Sequence, residues 1–288
     1  MIDSQVQNVA LQSQKNEITE HIIYKKLAEI ISDLNNKKIL VEISNDELKH
    51  YNFWKNFSQK EVKPSKFQIW KYYLVSRIFG VIFGLKLMEK GEENAQEAYA
   101  QISKFVPDVK QIIKDEEEHE QKLLALLNED KIKYIGSMVL GINDALVELT
   151  GALAGLTFAF QDTHLIATAG LITGVAAALS MGASEFLSQK AEQGDNPFRA
   201  SIYTGGIYMM TVVFLIMPYL LFHNLYLCLG STILIAILII FLFNYYISVI
   251  QDTNFRKNFL QMAIISLGVA GLSFVIGYLI RIFFGVNI

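Results

Sequence analysis

The chain has 288 residues, 52% of them apolar, with a formal net charge of −3 and one cysteine. A single cysteine rules out a disulfide framework, a zinc knuckle and a Cys-rich iron–sulfur site, and the balanced charge offers no basic field for nucleic acid. All but 12 of the charged residues precede Gly136 and none lies between Ala200 and Gln251, so a charged N-terminal half is joined to one of membrane-length apolar stretches.

Taken in order, residues 1–14 are polar and read as a flexible tail. The first 20 residues have neither the apolar core nor the small-residue cleavage site of a secretory signal, which places the N-terminal half in the cytosol. From Lys15 to about Leu34, Ile18, Ile22, Ile23, Leu27, Ile30 and Ile31 recur at helical spacing. Asn35-Asn36 reads as a turn, a second helix follows from about Lys38 to Phe57, and Lys63-Pro64-Ser65 breaks it. A third bundle helix is expected over roughly Lys86–Lys104, and Pro107 opens a fourth that runs to about Leu127.

Between them, Phe67–Leu85 is apolar enough to suggest a membrane span. Arg77 near its centre opposes that reading, because a mid-membrane arginine costs at least ~2.5 kcal/mol. A crossover helix fits better, half buried on the bundle or lying at a membrane surface. The bundle is therefore assigned to residues 15–130, with 59–85 as the crossover.

Five spans are expected over 135–288: Ile135–Phe160, Leu165–Leu187, Ile202–Phe222, Leu225–Ile247 and Phe259–Phe284. Lys131, Lys133, Lys190, Arg199, Arg256 and Lys257 then fall on one side, and only Arg281 goes against the trend. By the positive-inside rule the bundle is cytosolic and the C-terminus outside. Gly151/Gly155 and Gly170/Gly174 have the spacing that lets membrane helices approach closely.

Two Glu-x-x-His motifs carry chemistry: Glu47/His50 and Glu116/His119. Residues three apart share a helix face, and two such pairs with single glutamates from two further helices are the ligand set of a di-iron or di-manganese bundle. Glu17 precedes Tyr24 by the same interval that separates Glu92 from Tyr99, so Glu…Tyr…Glu-x-x-His occurs twice in that order. Glu89, one turn before Glu92, adds a carboxylate to the same face, whereas Glu117, Glu118 and Glu120 read as solvated acids. Carboxylates with two imidazoles suit Fe(II) or Mn(II).

In the membrane half, buried ionisable groups are functional candidates. Asp144 and Glu148 lie one turn apart in the first span, and Met181 and Glu185 one turn apart in the second. Their spacing lets them meet in the cytosolic half, below the bundle. A carboxylate there carries either a proton or a divalent cation, as an antiporter needs.

Over Lys15–Leu127 the chain resembles the ferritin/rubrerythrin superfamily. That resemblance implies a di-iron centre bridged by Glu17, Glu47, Glu92 and Glu116, capped by His50 and His119, with Glu89 as a further or alternative ligand. The chain lacks the cysteine-rich domain of rubrerythrins, so a peroxidase cycle has no built-in electron donor. From Gly136 onward it resembles the vacuolar iron transporter family, through Asn143-Asp144, the run Ser180-Met181-Gly182-Ala183-Ser184-Glu185 and the five-span count. This second resemblance implies a homodimer, a path between subunits, and proton-coupled export of Fe(II). By motif Asp144, Met181 and Glu185 line that path, with Glu148 beside them. Plant members insert a glutamate-rich domain where this chain has only SQKAEQGDNPFRAS.

The combined architecture is all-α and resembles the prokaryotic membrane-bound ferritin proteins. It implies an integral protein of a prokaryotic cell membrane that exports Fe(II) or Mn(II), with a cytosolic domain that captures, senses or oxidises iron. The alternative is a membrane-anchored di-iron oxidase or peroxidase without transport. A ferroxidase activity of the bundle is compatible with both.

Overall fold

A computed structural model describes residues 4–90, 109–125 and 134–284, which divide into two compact units, Met1–Glu129 and Asp130–Ile288. In the first, α1 (Ser4–Ile30) and α2 (Leu34–Ser58) pack side by side across a three-residue connection, as antiparallel neighbours do. They are followed by α3 (Lys66–Phe79), a helical run over 81–90 (α4) and α5 (Val109–Ala125).

Two details depart from expectation. Helix α1 begins at Ser4 rather than Lys15, because part of the polar tail is buried: Ala10 packs with Trp54, Val109 and Ile112, and Gln14 donates to the Lys60 carbonyl (2.9 Å) while accepting from Ser58 Oγ (2.8 Å). Asn35-Asn36 is not a turn but the first turn of α2. The chain reverses before it, and Asp33 caps the helix by accepting from the Asn36 backbone N–H at 2.7 Å.

Apolar residues of this unit form two clusters. Ile23, Leu27, Leu40, Ile43, Val81, Leu85, Met88 and Leu123 join α1, α2, α4 and α5 in one. Ala10, Trp54, Val109 and Ile112 make the other. On each of α1, α2 and α5 the sequence between the two clusters is mostly polar, and that layer holds Glu17, Glu47/His50 and Glu116/His119.

The crossover segment is not one helix. Gly80 ends α3 at φ 101°, a backbone region that side chains avoid. With 14 residues and a rise of about 1.5 Å each, α3 is too short for a hydrocarbon core of about 30 Å.

Among the described residues the second unit has five helices long and apolar enough to cross a membrane: α6 (Ile135–Phe160), α7 (Thr163–Ala191), α8 (Pro197–Leu221), α9 (Leu225–Ile250) and α10 (Phe255–Phe284). Several outrun their apolar stretches because polar residues cap them. Asp162 caps α7, Asn196 caps α8 ahead of Pro197, and Asn224 caps α9.

Helix α6 is central: half of its most apolar window is buried, against 17% for α10. Hydroxyl groups donate across helices to backbone carbonyls, Ser266 to Leu146 and Thr232 to Leu215, both at 3.0 Å. The paired glycines sit at helix contacts. A Cβ on Gly174 would lie 2.6 Å from Val212 Cγ1, too close without displacing α8.

Candidate functional site

The polar layer of the first unit brings together Glu17 from α1, Glu47 and His50 from α2, and Glu116 from α5. One ligand atom from each lies within 4.8 Å of all the others. His119 completes the arrangement from α5: its Nδ1 is 3.2 Å from Glu47 Oε1 and 3.5 Å from Glu116 Oε2. His50 Nδ1 faces Glu47 and Glu116 at 3.4 Å each and Glu17 at 3.5 Å. Glu47 and Glu116 thus stand between the two imidazoles, whose ring centroids are 5.8 Å apart.

Helical periodicity builds this layer. Each Glu-x-x-His turns both side chains to the same face, and the flanking apolar clusters turn that face inward. Trp54, fully buried beside it, donates from Nε1 to Glu17 Oε1 at 3.3 Å.

The residues fit a divalent metal centre. Glu47 Oε2, His50 Nδ1 and His119 Nδ1 are buried with no hydrogen-bond partner, which is costly unless something else satisfies them. Metal–ligand bonds of about 2.0–2.2 Å put opposing donors about 4.2 Å apart, so a contraction of a few tenths of an ångström would close the observed group on an ion. A carboxylate-rich set with two imidazoles matches Fe(II) or Mn(II).

Protonation reports the same crowding. Burial holds Glu17 well above the usual carboxylate range, with Glu47 and Glu116 adding to the rise and His50 opposing it. For His119, burial opposes the charge, but Glu116 and Glu47 outweigh it and push its pKa up to about 10. His50 is raised against burial in the same way, by Glu116, Glu17 and Glu47. Burial would raise Glu116, yet the imidazoles of His119 and His50 beside it bring it down to about 2.

The other expected ligands fall differently. Glu89 is outside the four-residue group, with its Oε2 at 3.6 Å from Lys86 Nζ. Glu92 and Tyr99 lie outside the described residues. Glu117, Glu118 and Glu120 are exposed.

Two further acids belong to the site. His50 Nε2 is 3.2 Å from Asp115 Oδ2, and His119 Nε2 is 3.4 Å from Asp46 Oδ2. Each aspartate immediately precedes a motif glutamate, so both motifs read Asp-Glu-x-x-His. That doublet was the available signal, although its crossed pairing appears only in three dimensions. Such carboxylates fix ring orientation and commonly contribute 10–100-fold to metal affinity. Asp46→Asn and Asp115→Asn are each expected to weaken Mn(II) binding by about that factor, measured by calorimetric titration, with His50→Ala as the larger reference loss.

In the second unit, Glu185 on α7 is buried and accepts from Ser137 Oγ at 2.6 Å and from Gln189 Nε2 at 3.1 Å. Asp144 is half-buried, and Glu148 is exposed within the unit yet accepts from the buried Tyr208 hydroxyl at 2.8 Å. Met181 packs on the apolar core.

These groups are staggered rather than gathered at one point. Glu185 is level with Ser137, Met181 is one turn or about 6 Å farther in, and Asp144 is seven residues beyond Ser137, about 10 Å along α6. Sequence reading did not find Ser137 or Tyr208, because each acquires its role from a contact dozens of residues away.

Residues 135–195 match the model of the VIT family. The match spans α6 and α7 and includes Asp144, Glu148, Met181 and Glu185. No curated protein and no solved structure matches the chain. The match and the five apolar helices together support an integral membrane protein with a VIT-family membrane domain.

Proposed function

We propose that this protein is a membrane exporter of Fe(II), with Mn(II) as an alternative cargo, driven by proton antiport and served by a ferritin-like di-metal domain in the cytosol. The observation that carries the reading is the combination of a buried Glu/His group in one unit with a VIT-family segment bearing acids in the other.

In the N-terminal domain Glu17, Glu47, His50, Glu116 and His119 would hold the resident metals, with Glu92 or Glu89 completing the set from the remaining helix. Iron bound there would supply electron-transfer chemistry towards dioxygen or peroxide; manganese would supply chiefly binding. Asp46 and Asp115 orient the two imidazoles through Nε2, leaving each Nδ1 for the metal. Trp54 fixes the Glu17 carboxylate and helps to exclude water. These roles serve capture, sensing or oxidation alike.

In the membrane domain the staggered series Glu185, Met181, Asp144 and Glu148 forms a ladder along which a divalent cation meets oxygen and thioether donors in turn. Protons return on the same carboxylates. Glu148 supports a homodimer with the first spans facing each other: an acid turned to lipid near the middle of a span costs about 2.5–3.5 kcal/mol, which a second subunit would remove. Basic residues at the helix ends flanking the α7–α8 and α9–α10 connections, Lys190, Arg199, Arg256 and Lys257, support a cytosolic N-terminal domain.

The test is Fe(II) and Mn(II) flux through the purified chain in vesicles under an imposed pH gradient. Cation movement coupled to opposite proton movement is expected. Peroxide or dioxygen consumption that depends on His50 and His119, with no cation flux, would replace this reading with the anchored oxidase.

Metal loading should also release protons. Both imidazoles are raised well above their ordinary range when metal is absent, so near neutrality a cation must displace a proton from each. Affinity therefore falls as pH falls, by about tenfold per pH unit for each displaced proton. Titration calorimetry in buffers of different ionisation enthalpy counts these protons.

A further inference from the structure

The exposed side of α3 is a surface that metal chemistry does not use. Ile69, Tyr72 and Tyr73 pack against the bundle core, and Ser76 is buried. On the opposite face, at i, i+3, i+7 and i+11, stand Phe67 (71% exposed), Trp70 (61%), Leu74 (38%) and Ile78 (65%). Four large apolar side chains in one stripe are far more than the single exposed residues an ordinary surface carries.

Charge identifies the occupant. From Lys60 to Lys86 the chain has six basic residues and one acid, and that acid, Glu61, is held by Lys55 at 3.1 Å. Lys66 and Arg77 are exposed and flank the stripe, and Lys71 lies over the Tyr72 ring at 4.7 Å. A short helix with aromatic and aliphatic residues on one face, edged by lysine and arginine, suits the plane where headgroups meet acyl chains. A partner protein of ordinary composition would not require that excess of positive charge, whereas an anionic leaflet attracts each such cation. The helix also belongs to a chain with five membrane-capable spans, so a bilayer is present at high effective concentration.

We propose that the Phe67–Trp70–Leu74–Ile78 face of α3 docks on an anionic lipid surface. The inference needs only a membrane-embedded chain and is independent of which ion the protein moves.

The chain provides its own probe, since its two tryptophans are Trp54, fully buried, and Trp70, on the stripe. The full-length protein is reconstituted in vesicles of phosphatidylglycerol and phosphatidylcholine brominated on the upper acyl chain. The Trp54 signal is taken from Trp70→Phe and subtracted. An indole about 5–10 Å into the interface should lose about half of its emission to the bromines and be shielded from aqueous iodide. Lys66→Glu with Arg77→Glu, or omission of phosphatidylglycerol, should reduce that quenching at least about twofold.

Trp70 emission quenched by iodide and untouched by bromine would overturn the proposal in favour of a solvated face. Protection from both quenchers would overturn it in favour of a second copy or another segment of the chain. Equal bromine quenching with and without phosphatidylglycerol would overturn the anionic requirement. Should the charge variants lose the wild-type circular dichroism, the lipid-composition arm decides alone.

Discussion

Glu47→Gln is expected to abolish metal loading of the N-terminal unit. Its carboxylate faces both imidazoles, 3.4 Å from His50 Nδ1 and 3.2 Å from His119 Nδ1, and among the described residues only Glu116 does the same. Glutamine keeps the shape while removing the charge, and its amide offers protons where the cations need electron pairs. The loss should exceed the 10–100-fold that outer carboxylates contribute. Metal content per chain after dialysis, for iron and manganese separately, measures it. Stoichiometric metal retained by the variant would remove Glu47 from the site.

Asp144→Asn should reduce cation flux at least about 100-fold, equivalent to about 2.7 kcal/mol of lost stabilisation along the path. Asp144 sits half-buried on the most buried span, one turn from Glu148. An amide of equal size there can neither carry a proton nor balance a divalent charge. Metal content of the N-terminal unit should not change, because Asp144 is not part of the Glu17, Glu47, His50 and Glu116 group. Wild-type flux in vesicles containing this variant would dismiss Asp144 from the path.

Local periodicity made the motif pairs visible before any coordinates, since an interval of three residues fixes a shared face. The apolar stretches announced five crossings for a similarly local reason. What escaped was information held in pairings. Gln14 is as buried as a core leucine although its chemistry is polar, because Ser58 and Lys60 satisfy its amide. A hydrophobic pattern cannot register burial of that kind, so the start of α1 was hidden. Asn35-Asn36 suggests a turn by composition, whereas Asp33 was the residue that acted, as a cap. Asp46 and Asp115 were concealed among neighbouring acids, and only the approach of α2 and α5 distinguishes them from the solvated glutamates beside them.

The crossed contacts of Asp46 with His119 and Asp115 with His50 interlock the two repeats. The carboxylate beside each imidazole's Nε2 comes from the other repeat, so each finishes the other. A fragment with one Asp-Glu-x-x-His therefore lacks half of what orients its nitrogen donor. Metal held by the Glu/His group should in consequence depend on both motifs at once, and the centre should empty as a unit when either helix is pulled away.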